Sequence, residues 1–193
     1  MMPGKCFAGL LSFWCIFGFG GDRSSAADPC KSGLEAGKRP GPYAAVIATG
    51  PQRGQSYCYI CETGDRPAVI VFARTLSDPL GKLVRRLDKA LAEHKKADLR
   101  GWVTFLAGDP ARLDARVVEW GKKHAIRTMP LGVFTDAVGP PSYRLARDAD
   151  VTVLLFVKQK VVANFAFRAG ELNDKRIAEV LQAIPRVTGP ARK

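Results

Sequence analysis

Apolar positions along this chain fall into two rhythms. Ala68 to Ala73 (Ala-Val-Ile-Val-Phe-Ala) is an unbroken apolar run of strand length. Such a run suits a strand buried on both faces in the middle of an α/β sheet. The next segment changes period. Leu80, Leu83, Val84, Leu87 and Leu91 form one helical stripe, with Ser77 or Asp78 as cap and Pro79 in the first turn. This predicts a helix ending near Lys96. The same alternation recurs: a strand over Gly101–Ala107, then a helix opened by Asp109-Pro110 with Leu113, Val117 and Trp120 on one face, then a strand over Met129–Thr135 with Pro130 at its start. A short helix is predicted over Ser142–Arg147. Val151–Val157 and Val161–Phe167 flank the tight turn Lys158-Gln159-Lys160 as a hairpin, and Asn173 caps a last helix with the stripe Ile177, Val180, Leu181 and Ile184. Upstream, Tyr43–Ala48 reads as a short strand and Thr49–Pro67 as loop. The order β-loop-β-α-β-α-β-(short α)-β-β-α predicts an α/β domain whose central sheet is mixed.

The ends stand apart. Lys5 precedes an apolar run from Cys6 to Gly21, and Ser25-Ala26-Ala27 places small residues before Asp28. This is the pattern of a secretory signal peptide over residues 1–27, and the run of about 16 residues is shorter than the roughly 20 needed to span a bilayer. The expectation is an exported protein, periplasmic or secreted, with no stable membrane span after cleavage. Residues 28–42, rich in Gly, Pro, Lys and Ser, are predicted to be a flexible arm, residues 43–185 the domain, and residues 186–193 a frayed tail.

The 193 residues carry a net charge of +12. Removal of residues 1–27 takes away Lys5, Arg23 and Asp22, which leaves 28 basic against 17 acidic groups, or +11. Lys82, Arg85, Arg86, Lys89, Lys95 and Lys96 share one segment, and a basic surface of this kind attracts polyanions. An exported chain without a nucleic-acid-binding module is not expected to bind nucleic acid.

Three cysteines follow residue 27: Cys30, Cys58 and Cys61. Cys58-Tyr59-Ile60-Cys61 has the C-x-x-C spacing that lets one thiolate attack a disulfide while its neighbour resolves the mixed disulfide. In an oxidising compartment a Cys58–Cys61 bridge with Cys30 left over is the natural pairing, and a Cys30 bridge to either partner stays open. Glu62 and Asp65 would oppose a thiolate here, and Arg53 and Arg66 offset them only on close approach in space. Metal binding would have to combine these thiols with His94 or His124, the two histidines of the chain, and no second C-x-x-C supports it. Ser77, Asp78 and a distant histidine lack any nucleophile-elbow motif. No cofactor is implied.

The element order resembles the thioredoxin-like superfamily over residues 43–185, which implies a three-layer α/β/α domain ending in a β-hairpin and helix. Trp120 to Phe167 is most similar to the peroxiredoxin branch: Lys122–Leu131 resembles the approach to a strand ending in Asp136, Tyr143-Arg144-Leu145-Ala146 its short helix, and Val153–Phe167 its hairpin. The chain departs from the family where chemistry matters. Ser77 and Leu80 stand at the two positions that the resemblance implies for active-site cysteines, and three residues beyond Thr75 stands Asp78. The usual cis-proline position reads Asp150-Val151-Thr152, with Pro130 as a second register. The first expectation is therefore a domain degenerate at the usual site, acting as a binding or structural module for a protein partner. The alternative is a thiol–disulfide oxidoreductase in which Cys58 attacks and Cys61 resolves. If the displaced pair folds back over the helix that starts at Ser77, it recovers the electrostatic setting usual for such a pair.

Overall fold

The computed structural model describes Met1 and residues 28–189. The signal-peptide reading of residues 1–27 otherwise falls outside the described residues, as do residues 190–193. Seven strands form one mixed sheet: β1 (Ala45–Thr49), β2 (Ser56–Tyr57), β3 (Ala68–Ala73), β4 (Arg100–Leu106), β5 (Leu131–Phe134), β6 (Val151–Val157) and β7 (Lys160–Phe167). Their spatial order is β2-β1-β5-β4-β3-β6-β7. The central strands β3, β4 and β5 run parallel, whereas β1 and β6 join antiparallel on either side. Among the described residues there are five α-helices: α1 (Tyr59–Thr63), α2 (Asp78–Glu93), α3 (Pro110–Lys123), α4 (Asp174–Gln182) and α5 (Pro185–Thr188).

Strand β3 is buried along its whole length, and the period of two assigns its side chains to opposite faces. Val69, Val71 and Ala73 join a cluster with Leu80, Leu83, Leu87, Val117, Trp120, Ile177 and Val180, so α2, α3 and α4 all pack on one face. Ala68, Ile70 and Phe72 face the other side, with Leu34, Trp102, Tyr143 and Leu145.

That second face is covered without a long helix. Tyr43, Phe72 and Tyr143 form an aromatic group with ring centroids 4.9 to 5.6 Å apart. The Tyr43 hydroxyl accepts from Trp102 Nε1 at 2.8 Å and pairs with the Thr104 hydroxyl at 2.7 Å. Burial is the main cause that pushes the Tyr43 phenol far above its ordinary pKa.

The segment expected to be a flexible arm is docked. Leu34 is buried, the Ser32 hydroxyl meets that of Thr152 at 2.7 Å, and Asn164 Nδ2 donates to the carbonyls of Ser32 and Leu34. Gly37 and Lys38 exchange backbone hydrogen bonds with Val161, so the arm pairs with the outer edge of β7. Such pairing covers an edge that would otherwise recruit other chains. The tail likewise is ordered through Thr188, where Val187 is buried.

Two boundaries differ from the sequence reading for local reasons. The short helix before β6 is a 3-10 turn over Pro141–Tyr143, ended by Arg144 at φ 53°. The hairpin turn Lys158-Gln159 has φ 51° and 58°, the geometry that matches strand twist in two-residue hairpins.

One buried charge organises the approach to β5. Asp88 of α2, 8% exposed, accepts from the backbone N–H groups of Arg127, Thr128 and Met129 at 2.6 to 3.0 Å and from the Thr128 hydroxyl at 2.6 Å. Burial alone would raise its pKa, but these donors outweigh it and hold the carboxyl below its usual value. A depressed folded pKa stabilises the fold above the unfolded value of about 3.9, and that stability is lost as pH falls through the folded pKa. Asp88→Asn strands at least one buried donor and is expected to cost about 3 kcal/mol. Urea unfolding at neutral pH measures the loss, and the gap between wild type and variant should narrow below about pH 4.

Candidate functional site

Thr49–Pro67, read from sequence as loop, contains both β2 and α1. Helix α1 forms on three local devices. Cys58 is its N-cap, with extended backbone (φ −111°, ψ 91°), and its Sγ accepts the Cys61 N–H at 3.2 Å. Gly64 ends the helix at φ 57°, a conformation that favours glycine. Arg66 folds back to cap the free carbonyls: its Nε donates to Thr63 O at 2.8 Å and its terminal nitrogen to Glu62 O. Gly64 was the legible signal for this helix.

Cys58 and Cys61 are joined in a disulfide across the first turn of α1, with Cα atoms 5.4 Å apart. Cys58 is half-buried and Cys61 is exposed. The reading of the usual active-site cysteines as absent is thus corrected: the displaced C-x-x-C pair is present at a helix start, on α1 instead of α2. Cys30 is a free, half-buried thiol, which closes the open question of its pairing. Burial, then Asp148, push its pKa up.

The pair does not fold back over α2. Tyr59 and Ile60 pack on the Ile70–Phe72 face of the sheet, whereas Leu80 and Leu83 of α2 lie in the cluster on the opposite face. The sheet stands between the cysteines and the N-terminus of α2. That N-terminus is closed on itself. The Ser77 hydroxyl accepts the Leu80 N–H at 3.4 Å, and Trp120 Nε1 donates to Ser77 O at 3.2 Å. Asp78 is held by Lys123 Nζ at 2.6 Å, which depresses its pKa, and His124 Nε2 lies 3.3 Å away without hydrogen-bond geometry. Of the two registers for the proline position, the fold selects Asp150-Val151, since Val151 opens the hairpin strand β6, while Pro130 precedes β5.

Neither arginine named as a counter-charge reaches the sulfurs. Arg53 donates to Ala48 O and pairs with Asp114 at 3.2 Å. Arg66 is spent on the carbonyls of α1 and on Asp98 at 3.6 Å. Glu62 is drawn off by the Tyr57 hydroxyl, which donates to Oε2 at 2.8 Å. Among the described residues the Cys61 N–H is therefore the donor at Cys58 Sγ, and hydrogen bonding to sulfur favours thiolate after reduction. Tyr59 stacks on Trp102 at 5.5 Å and against Tyr57 at 4.9 Å. Burial, then Tyr57 and Glu62, push its phenol up to about 12.

His94 caps the end of α2, and His124 follows α3. Among the described residues no group of three or more His, Cys, Asp or Glu side chains is placed to hold a metal ion, and no helix is long and apolar enough to cross a membrane.

No family model and no curated protein matches the chain. Solved structures do. A candidate protein disulfide isomerase from Bacteroides thetaiotaomicron superposes with a TM-score of 0.61 at 18% identity, covering 81% of this chain and 92% of its own. A thiol-disulfide oxidoreductase from Bacteroides fragilis gives 0.54 at 13%, covering 76% and 99%. The reduced 2-Cys peroxiredoxin of Plasmodium vivax gives 0.55 at 15%, covering 79% and 83%. At these identities the likeness shows the fold: the chain has a thioredoxin-like α/β fold with a mixed sheet.

Ser77→Ala tests the assignment of Ser77 as a cap and nothing more. It should cost about 1 kcal/mol in urea unfolding and leave the Cys58–Cys61 disulfide intact by thiol titration under denaturing conditions.

Proposed function

We propose that the protein exchanges thiols and disulfides through Cys58 and Cys61 outside the cytoplasm. The observation that carries this reading is the disulfide closed at the start of α1, with Cys61 exposed and Cys58 Sγ held by the Cys61 N–H. The apolar run Cys6–Gly21 and the small residues Ser25-Ala26-Ala27 support export, and an exported pair meets oxidising conditions.

The electron balance is simple. In the reduced state the Cys58 thiolate attacks a partner disulfide, and one partner sulfur leaves as thiolate. Cys61 then attacks Cys58 Sγ, the mixed disulfide breaks, and the partner departs with both sulfurs reduced. Two electrons have moved from the pair to the partner, and the Cys58–Cys61 bond is restored. In the oxidising direction a partner thiolate attacks the pair and the same steps run backward.

A second reading rests on a specific observation. Arg53 and Arg66 are paired with Asp114 and Asp98, and the N-terminus of α2 lies across the sheet, so the bridge also fits a local brace in a domain that binds a protein partner. One experiment separates the two. The reduced wild type should accelerate reduction of a disulfide-linked test peptide. Cys58→Ser should abolish that rate, and Cys61→Ser should accumulate a mixed disulfide visible by mass spectrometry. An exchange rate equal to wild type in Cys58→Ser rules out the redox role. Loss of the bridge, which closes a very short loop, should lower stability by about 2 kcal/mol in either case.

A further inference from the structure

A cleft of about 480 Å³ opens beside α1, at the end of the sheet where β4 begins and α2 finishes. Its apolar wall combines Trp102, Leu91, Leu99 and Pro130, and its mouth carries Arg66, Lys95 and Arg100. A mostly apolar concavity with a few converging polar groups is the usual form of a small-molecule site.

The charges decide what fits. Several uncharged polar atoms around the cleft are already engaged: Gln52 Oε1 accepts from the Tyr59 hydroxyl at 3.0 Å, the Thr63 hydroxyl donates to Tyr59 O, and the Thr128 hydroxyl donates to Asp88. Glu62 is hydrogen-bonded by Tyr57. Arg66 and Arg100 share a single carboxylate, Asp98, at 3.6 and 3.0 Å. Lys95 is exposed and has no carboxylate partner among the described residues. Three cations thus meet two carboxylates at the mouth of an apolar cleft, which leaves a positive rim above an apolar wall.

The geometry points to a binding site for a small amphipathic organic anion: a carboxylate or sulfonate on an apolar body, with its charge at Lys95 and Arg100 and its body against Trp102, Leu91 and Leu99. The site is independent of the cysteine chemistry, since the oxidised protein presents it with no thiolate required.

Anilinonaphthalene sulfonate, an apolar fluorescent anion, is the probe, titrated into the oxidised full chain. A saturable rise in fluorescence is expected, with decanoate displacing the probe and uncharged decanol failing to do so. Ala92 lines the cleft on the exposed side of the last turn of α2, so Ala92→Trp fills the cleft without disturbing the core and should abolish binding. Lys95→Glu should weaken binding about tenfold. Arg86→Glu makes the same charge change on an exposed residue of α2 outside the cleft and should leave binding within about twofold. Circular dichroism confirms that each variant is folded. Equal binding in Ala92→Trp, an equal loss in Arg86→Glu, or displacement by decanol as effective as by decanoate overturns the inference. Because no thiol takes part in the titration, that failure is separate from failure of the exchange assay.

Discussion

Burial of β3 on both faces is the constraint on which the rest of the molecule depends. Each of its larger side chains is withdrawn completely from water, worth about 1.5 to 3 kcal/mol apiece, and only if both sides of the sheet are covered. Helices α2, α3 and α4 supply one cover. The other is assembled from Leu34 in the N-terminal segment, Tyr43, the 3-10 turn at Tyr143, and α1 through Tyr59 and Ile60. The segment before β1 and the helix that holds the cysteines are therefore structural parts of the core, not appendages.

That arrangement separates two positions that share one helix start in thioredoxin-type sites. The N-terminus of α2 remains, capped by Ser77 and guarded by Asp78 and Lys123. The cysteines lie across the sheet, on a helix of five residues. Stacked layers are about 10 Å apart, and a helix terminus acts mainly within its first turn. The pair therefore depends on its own backbone, through the Cys61 N–H, for what a longer helix would supply. The same short helix contributes Tyr59, Glu62 and Thr63 to the wall of the cleft, so the cysteine pair and the cleft share one element.

Much of the fold was legible because it is written in local periods. The unbroken apolar run of β3 and the stripes of α2 and α4 stand out, and Ser77-Asp78-Pro79, Asp109-Pro110 and Asn173 mark helix starts by cap chemistry. Helix α1 was missed because five residues are too few for a stripe, and nucleation of so short a helix is unfavourable without tertiary support. The arm was misjudged because its order comes from hydrogen bonds to Thr152, Val161 and Asn164, more than a hundred residues away.

By itself, the amino-acid sequence determined the alternation of elements, the mixed sheet with its closing hairpin, and the C-x-x-C spacing that places two sulfurs within reach of each other. All of these follow from interactions between near neighbours. Only the tertiary structure decided on which face the pair would lie, that Cys30 would stay out of the bridge, that Arg53 and Arg66 would be drawn to other partners, and that Lys95, Arg66 and Arg100 would gather at one cleft. Those outcomes depend on which distant surfaces must be covered to keep β3 out of water, and no local pattern carries that information.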